Sequence, residues 1–599
     1  MYTRRVLKSQ RRAFGVASPP PPAPDYFGKK KPIVGHIPII AENAKKSIPF
    51  GLTTKQLFEE DEQKRETARL ALPSTADCVV ATRSPDLVKK LLQHQTRTGV
   101  ARRENGPMFD LFFEELEAGN EEFPSIGPGT LGTNGERWQR LRSAVAPVLM
   151  KPNVAPTLAK QFAPIARDFV HLAKTRRDDK APGAEDVSAY MYGIDEREGK
   201  LGVSFDLNRV LMDVALECVF YIITDLRLGG LPLRPGNTRK DRGDELFTPK
   251  THKEFLNAVT LFFHGLSESF NMAPFLPLHR LLRRFFNRGV PVIDDFVHSG
   301  RKAMHLAKKA VYDSLRVHPL KEVSDKERGT FNITKRSVRD MLMDHPTLPQ
   351  EDGLSVLLEL MVAGSDTTST VMVWSLYHLA TKPEQFELVR DEVRTLLGET
   401  RAQGGSDSEI DERFAQSLLK GAPRLRAVME ETMRLKPTID TASRVMQEDL
   451  PVTDYSKGCP VTGMFADPNN VGRVIPKGAL LMPMLRSMGH DKRVFGDDAE
   501  EFQHERWTKT KDDKLAFDSR GTPVRFFGFG MRQCIGRRIA TTEVQVMLGF
   551  LLAELEEIKL LHKEGVNYDP KIAEGVVHKP LHDVRVAMRF RDTEETQTE

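Results

Sequence analysis

Cysteine is scarce in this chain: its 599 residues include only Cys78, Cys218, Cys459 and Cys534, far apart from one another. None stands at metal-ligand spacing from the next, which speaks against a zinc site and a disulfide framework and fits a reducing compartment. A charge excess is lacking as well. The formal net charge is +5 against 88 basic and 83 acidic residues, so nothing demands a nucleic-acid partner. No apolar run near the start approaches the ~20 residues of a membrane span. The apolar stretch from Val210 to Ile223 is broken by Asp213 and Glu217, so it reads as a buried helix, and no single-pass anchor is expected. Internal repeats are absent too. What remains has the composition of an ordinary globular protein, and any special cysteine must be argued on its own.

The first 24 residues carry Arg4, Arg5, Lys8, Arg11 and Arg12, no acid precedes Asp25, and a proline run from Pro19 to Pro22 closes the segment. Positive charge among small and hydroxylated residues is the composition of an organelle-import presequence; a disordered basic tail has the same composition. Residues 25–100 mix short apolar runs with turns, residues 131–447 follow a mainly helical period, and 448–530 turn irregular before a last helix from about 535 to 556. Polar stretches near 234–252, 321–336, 400–412 and 451–472 lack apolar periodicity and read as surface loops. The expected fold is mainly α, one large helical body with a small β-rich lobe drawn from the N-terminal region and from the stretch after residue 437.

The strongest chemical signal runs from Phe526 to Ala540, FFGFGMRQCIGRRIA. Gly528 and Gly530 let the backbone turn tightly and lie against something flat, while Phe527 shields one side. Arg532 places a cation two residues before Cys534, suited to an anionic group. Cys534 itself falls just ahead of a helix, whose free amides and dipole favour a thiolate. A shielded thiolate facing amides is what a haem iron needs as its axial ligand. The whole arrangement Phe-x-x-Gly-x-Arg-x-Cys-x-Gly, ending at Gly536, resembles the cytochromes P-450, the haem-thiolate monooxygenases, and its wording resembles their mitochondrial branch. The cofactor that this implies is heme b, iron protoporphyrin IX.

Three further segments carry the resemblance. Met361-Val362-Ala363-Gly364-Ser365-Asp366-Thr367-Thr368 lies inside a long apolar helix, spanning about 350–381, where Gly, Ser and Thr are poor choices. Gly364 is expected to leave room for a ligand against the helix. The Thr367 hydroxyl can bond back to a carbonyl, and Asp366 with Thr367 makes an acid–alcohol pair able to pass protons to dioxygen at the haem. Glu431 and Arg434 stand three apart near a helix end stopped by Lys436-Pro437. The family places such a pair in the interior and completes it with an arginine from a later loop, here Arg506, with His504 where proline is usual. Trp138 and Arg142, four apart after a capping-box-like Thr133-Asn134-Gly135-Glu136, match positions that contact a haem propionate, as do Arg444 and Arg532.

The resemblance implies a monooxygenase that puts one atom of O2 into a small lipophilic substrate, sterol-like or another lipid or xenobiotic, with electrons from NAD(P)H through a redox partner. Its organisation would be a presequence over 1–30 and a single catalytic domain over 31–599 with polar insertions. The branch implies a ferredoxin as donor, the mitochondrial matrix side as location and peripheral contact with the inner membrane; a diflavin reductase is the other donor. Arg426 matches one of the branch's basic donor-facing positions, whereas Glu430 reverses another, and Arg537 and Arg538 add positive charge beside the cysteine loop. A haem-thiolate isomerase or dehydratase of hydroperoxides, and a non-catalytic haem binder, share the same motifs.

Overall fold

In the computed structural model the described residues are 50–59, 67–70, 79–84, 87–88, 101–102, 127–175, 203–229, 231, 251, 253–259, 276–286, 289–320, 336–441, 443–451, 474–508, 526–528, 530–561, 570–572, 577–582 and 584–591. The expected presequence, residues 1–30, and the polar stretches 234–250, 321–335 and 452–472 lie outside them. The helices in chain order are α1 Phe50–Glu59, α2 Gly135–Leu149, α3 Val154–Thr175, α4 Leu207–Thr224, α5 Leu276–Phe286, α6 Pro291–Val317, α7 Val338–Met343, α8 Gln350–Thr381, α9 Pro383–Ala402, α10 Asp407–Gly421, α11 Pro423–Leu435, α12 Leu485–Gly489, α13 Lys492–Phe495 and α14 Arg537–Glu554. The strands are β1 Thr67–Leu70, β2 Val79–Thr82, β3 Ala101–Arg102, β4 Val203–Asp206, β5 Arg444–Met446, β6 Leu450–Pro451, β7 Val474–Ile475, β8 Leu480–Pro483, β9 Leu555–Leu560 and β10 Arg585–Phe590. The fold is mainly α, as the sequence implies.

The core is built around α8. Leu357, Met361, Met372, Trp374 and Leu376 on it are fully buried, and α4 packs along it while α11 and α14 close other sides. A helix apolar nearly all round belongs inside a large protein, which is where α8 lies. Around it α3 packs on α14 and α10. The main sheet has the order β1-β2-β8-β5-β3. Its β2–β8 pair is parallel, with Val79 opposite Leu480, so the early strands and those after residue 437 share one sheet. A second sheet, β4-β10-β9, pins the chain's last strand to the end of α14.

Two local readings need correction. The stretch 400–412 is no loop: α9 continues to Ala402 and α10 starts at Asp407. Ser406 caps α10 in a capping box with Glu409, and the charged residues form the outer face of a helix whose Phe414, Ala415 and Leu418 are buried. Conversely, Thr133 and Glu136 form no capping box. Asn134 is the N-cap and its side chain makes no cap bond, while the Thr133 hydroxyl turns back to the Gly129 carbonyl at 2.8 Å.

α5 is amphipathic in an unusual sense: its apolar side faces out. Leu278, Leu281, Phe285 and Phe286 are 48, 52, 66 and 69% exposed, and the exposed Arg280 and Arg284 lie beside them. Its inner side is held by Arg283, which pairs with Asp294 of α6 at 2.8 Å.

Candidate functional site

The cysteine loop is closed by the Cys534 amide, which donates to the Phe527 carbonyl at 2.8 Å. Gly528 and Gly530 take φ values of 72° and 64°, in the left-handed region that strains residues with a Cβ. A 3-10 turn over Gly530–Arg532 follows, and α14 begins at Arg537. Cys534 is an exposed thiol outside any disulfide, three residues ahead of the first helical amides. A Cβ on Gly536 would lie 3.9 Å from its sulfur.

Arginines moor this loop to α2 and the turn before it. Arg142 Nη2 donates to the Gln533 carbonyl at 2.7 Å. Arg532 donates to the Thr130 and Thr133 carbonyls at 3.2 and 2.8 Å and to Asn134 Oδ1 at 2.9 Å. Its guanidinium lies 3.9 Å from the centre of the Trp138 ring. On the other side Arg538 Nε donates to the Met150 carbonyl at 2.8 Å, and Arg537 stands 5.8 Å over Phe527. Trp138, Arg142, Phe527, Gly530, Arg532, Cys534 and Gly536 therefore meet in one place. Arg444 stands on β5, 3% exposed, its Nη1 donating to the Ser443 carbonyl at 2.9 Å. An exposed thiol at a helix start, a loop flattened by glycines and arginines from separate segments are the donor set that an anionic iron macrocycle with an axial thiolate requires.

Behind the loop, Arg426, Glu430, Gln533, Cys534, Arg537 and Arg538 line a depression of about 370 Å³. Glu430 is half-buried there. Burial pushes its carboxyl above the usual range, and the fields of Arg426 and Arg537 pull it back. The acid that reverses an expected positive charge is thus surrounded by arginines.

Glu431, Arg434 and Arg506 come together in the interior. The Arg434 guanidinium forks onto Glu431, Nε and Nη2 each at 2.8 Å, with both side chains fully buried. Arg506 Nε reaches Glu431 Oε1 at 3.3 Å, Trp507 Nε1 reaches Oε2 at 2.8 Å, and the Gln503 amide adds 2.9 Å. Arg434 also holds the Gly489, Ala499 and Glu501 carbonyls at 2.7, 2.5 and 2.9 Å. A buried ion pair is tolerable when its remaining donors and lone pairs are met, and here they are. His504 is buried, its ring bonded to Gln385 of α9, and burial lowers its pKa, so a neutral ring does the work of a packing residue.

On α8 the Thr367 hydroxyl donates to the Ala363 carbonyl at 2.7 Å, and the helix stays continuous through it. Asp366 is 2% exposed and pairs through Oδ1 with Lys579 Nζ at 2.8 Å. Gly364 corrects the sequence reading: a Cβ there would lie 2.7 Å from Val219 Cγ2. The missing side chain lets α4 approach α8 and leaves no ligand space.

Sequence reasoning missed three partners of α8. Asp352 accepts from Arg137 and Arg140 at 2.9 and 2.8 Å, tying α2 to α8. Glu359 accepts from the Thr130 amide and hydroxyl at 2.5 and 2.9 Å and from the Leu131 amide, holding the turn that Arg532 also grips. Lys579 takes Asp366. A signal existed: residues 352, 359 and 366 repeat every seven positions, placing three acids along one side of a largely apolar helix.

Comparison with known proteins agrees with this geometry. The family model described as Cytochrome P-450 matches residues 77–459 and 465–582. The mitochondrial sterol 26-hydroxylase of Rattus norvegicus is 25% identical over 444 residues, 73% of this chain and 69% of that protein. The mitochondrial cholesterol side-chain cleavage enzyme of Oncorhynchus mykiss is 26% identical over 432 residues, 72% of this chain and 67% of that protein. Among solved structures, a crystal structure of a cytochrome P-450 superposes with a TM-score of 0.61 at 18% identity, covering 96% of this chain and 100% of that one, a likeness of fold.

Proposed function

This chain belongs to the cytochrome P-450 family and is a haem-binding monooxygenase, and we propose that it hydroxylates a lipophilic, sterol-like molecule in mitochondria with electrons from a ferredoxin. The observation that carries the proposal is Cys534: an exposed thiol outside any disulfide, held by a glycine loop at the start of α14. Bound haem supplies the redox chemistry, taking two electrons and O2 so that one oxygen atom enters the substrate and the other leaves as water.

The chain's own residues do the rest. The α14 start favours the thiolate of Cys534, which would bind the iron. Trp138, Arg142, Arg444 and Arg532 would hold the propionates with charge-assisted donors. Phe527, Gly530 and Gly536 would keep the loop flat and apolar against the macrocycle. Asp366 and Thr367 carry protons at the carboxylate and at Oγ1. The Glu431–Arg434–Arg506 cluster ties α11 to the segment from Gly489 to Trp507.

The named relatives act on sterols and are mitochondrial, which supports the substrate class and the location, as does the basic, acid-free start of the sequence. An acidic ferredoxin suits the arginine-rich depression behind Cys534, where Glu430 is offset by Arg426 and Arg537. The outward apolar side of α5 with its arginines suits peripheral contact with an anionic inner membrane. The test is reconstitution with NADPH, ferredoxin reductase, ferredoxin and a panel of sterols. Sterol-dependent NADPH consumption and a product with one added oxygen are expected, and Thr367→Ala should divert electrons to peroxide. Conversion of hydroperoxides without NADPH, or reduction by a diflavin reductase and by no ferredoxin, would contradict it.

A further inference from the structure

Of the three acids spaced along α8, Asp352 and Glu359 are each engaged by several donors, while Asp366 is held differently. One of its oxygens accepts from Lys579 Nζ at 2.8 Å; the other, Oδ2, is buried and has no hydrogen-bond partner among the described residues. Its neighbour Thr367 commits its hydroxyl to the Ala363 carbonyl. A buried carboxylate with an unmet oxygen is costly, so such an atom in a functional segment calls for a reason. Lys579 also differs from its partner in exposure: its side chain is 31% exposed and that of Asp366 3%. The lysine thus joins a buried acid to solvent.

The segment bearing Lys579 is pinned. The His578 amide donates to the Thr438 carbonyl at 2.8 Å, and the His578 carbonyl accepts from Trp374 Nε1, on α8 itself, at 3.1 Å. Arg486 Nη2 lies 3.1 Å from His578 Nδ1. With the residue before it fixed from three directions, the Lys579 ammonium is delivered to one oxygen of Asp366.

We propose that Lys579 is a positioning residue for proton supply: it anchors Asp366 through Oδ1, leaves Oδ2 as the oxygen that takes and gives a proton, and links that carboxyl to bulk water. The inference rests on the monooxygenase reading above. In that reaction the substrate R–H, O2, two electrons from the donor and two protons give R–OH and H2O. The C–H bond and the O–O bond break, the substrate's hydrogen ends in its new hydroxyl, and both solvent protons end in water. Asp366 returns to its carboxylate after each proton it passes, and Lys579 holds it in place for the next.

Two measurements test this. In the purified full chain without turnover, amine-reactive labelling of Lys579, quantified by peptide mass spectrometry, should rise about threefold or more when Asp366→Asn removes the partner charge; equal labelling would overturn the pairing. In the reconstituted enzyme, Lys579→Met should lower product formed per NADPH about tenfold, with peroxide making up the difference and a larger solvent isotope effect, a loss smaller than the roughly 10²–10⁴-fold of the general acid itself, because Lys579 acts through Asp366. Lys579→Arg should restore coupling to within about twofold. Unchanged coupling in Lys579→Met, or equal loss in both variants, would overturn the role. If the unsubstituted enzyme shows no sterol-dependent NADPH consumption with any donor, the monooxygenase reading fails and the role with it, while the labelling still reports the ion pair.

Discussion

Arg142 Nη2 donates to the carbonyl of Gln533 at 2.7 Å, joining residues 391 positions apart and setting the backbone one residue ahead of Cys534. A charged donor on a carbonyl contributes about 1.5–3 kcal/mol. Arg142→Ala should therefore speed haem loss about tenfold or more, measured by transfer to an excess of apomyoglobin. A rate unchanged from the parent would show that the loop holds its shape without α2.

Gly364→Ala separates the packing account from the ligand-space account. Alanine is the better helix former by ~1 kcal/mol, yet its Cβ would meet Val219 Cγ2 at 2.7 Å. We expect a net loss of about 1–2 kcal/mol in denaturant unfolding, largely recovered in the Gly364→Ala/Val219→Ala double variant. Stabilisation by the single variant would mean that α4 and α8 do not approach so closely.

Acid stability should report Glu554, which ends α14. Burial would raise its carboxyl, but Lys174 at 2.5 Å and Arg591 at 3.3 Å prevail and lower its pKa from 4.5 to about 2. A carboxylate lowered in the folded state binds protons more weakly there than when unfolded. Its contribution is complete above pH about 4.5 and is lost as pH falls towards 2, in all about 3 kcal/mol. Glu554→Gln should be destabilised by roughly that amount at pH 7 and should show a flatter stability profile between pH 4.5 and 2. Equal slopes would contradict the assignment.

Glu431→Gln leaves Arg434 buried without its counter-charge, while Arg506 keeps Asp498 at 2.6 Å. The loss expected for one partner of a buried pair is about 3–5 kcal/mol, visible as a large fall in soluble yield and thermal midpoint. Substituting Glu409, whose exposed carboxylate caps α10 through Ser406, should change stability far less. Similar losses in the two variants would mean that burial of the first is not what matters.

The cysteine loop was legible because its chemistry is local: glycines, a cation and a thiol within a dozen residues have few other uses. Glu431 and Arg434 were legible as an i, i+3 pair, whereas Arg506 was recognised only through the family resemblance, since no period links it to α11. Lys579 was invisible, because an ion pair across 213 residues leaves no mark in either segment. Gly364 was misread for a related reason: which face of α8 meets α4 is decided by packing, and a glycine looks alike beside a ligand and beside Val219. The stretch 400–412 was misread because a charged outer face outweighed Ser406-x-x-Glu409, which is itself a start signal.

The central claim is that Cys534 ligates haem as a thiolate, and the absorption spectrum of the reduced, carbon monoxide-treated protein tests it most directly, beside Cys534→Ser. A strongly red-shifted Soret band that disappears in Cys534→Ser is the predicted result. A band at the position typical of histidine-ligated haem, or one unchanged by the substitution, would contradict it.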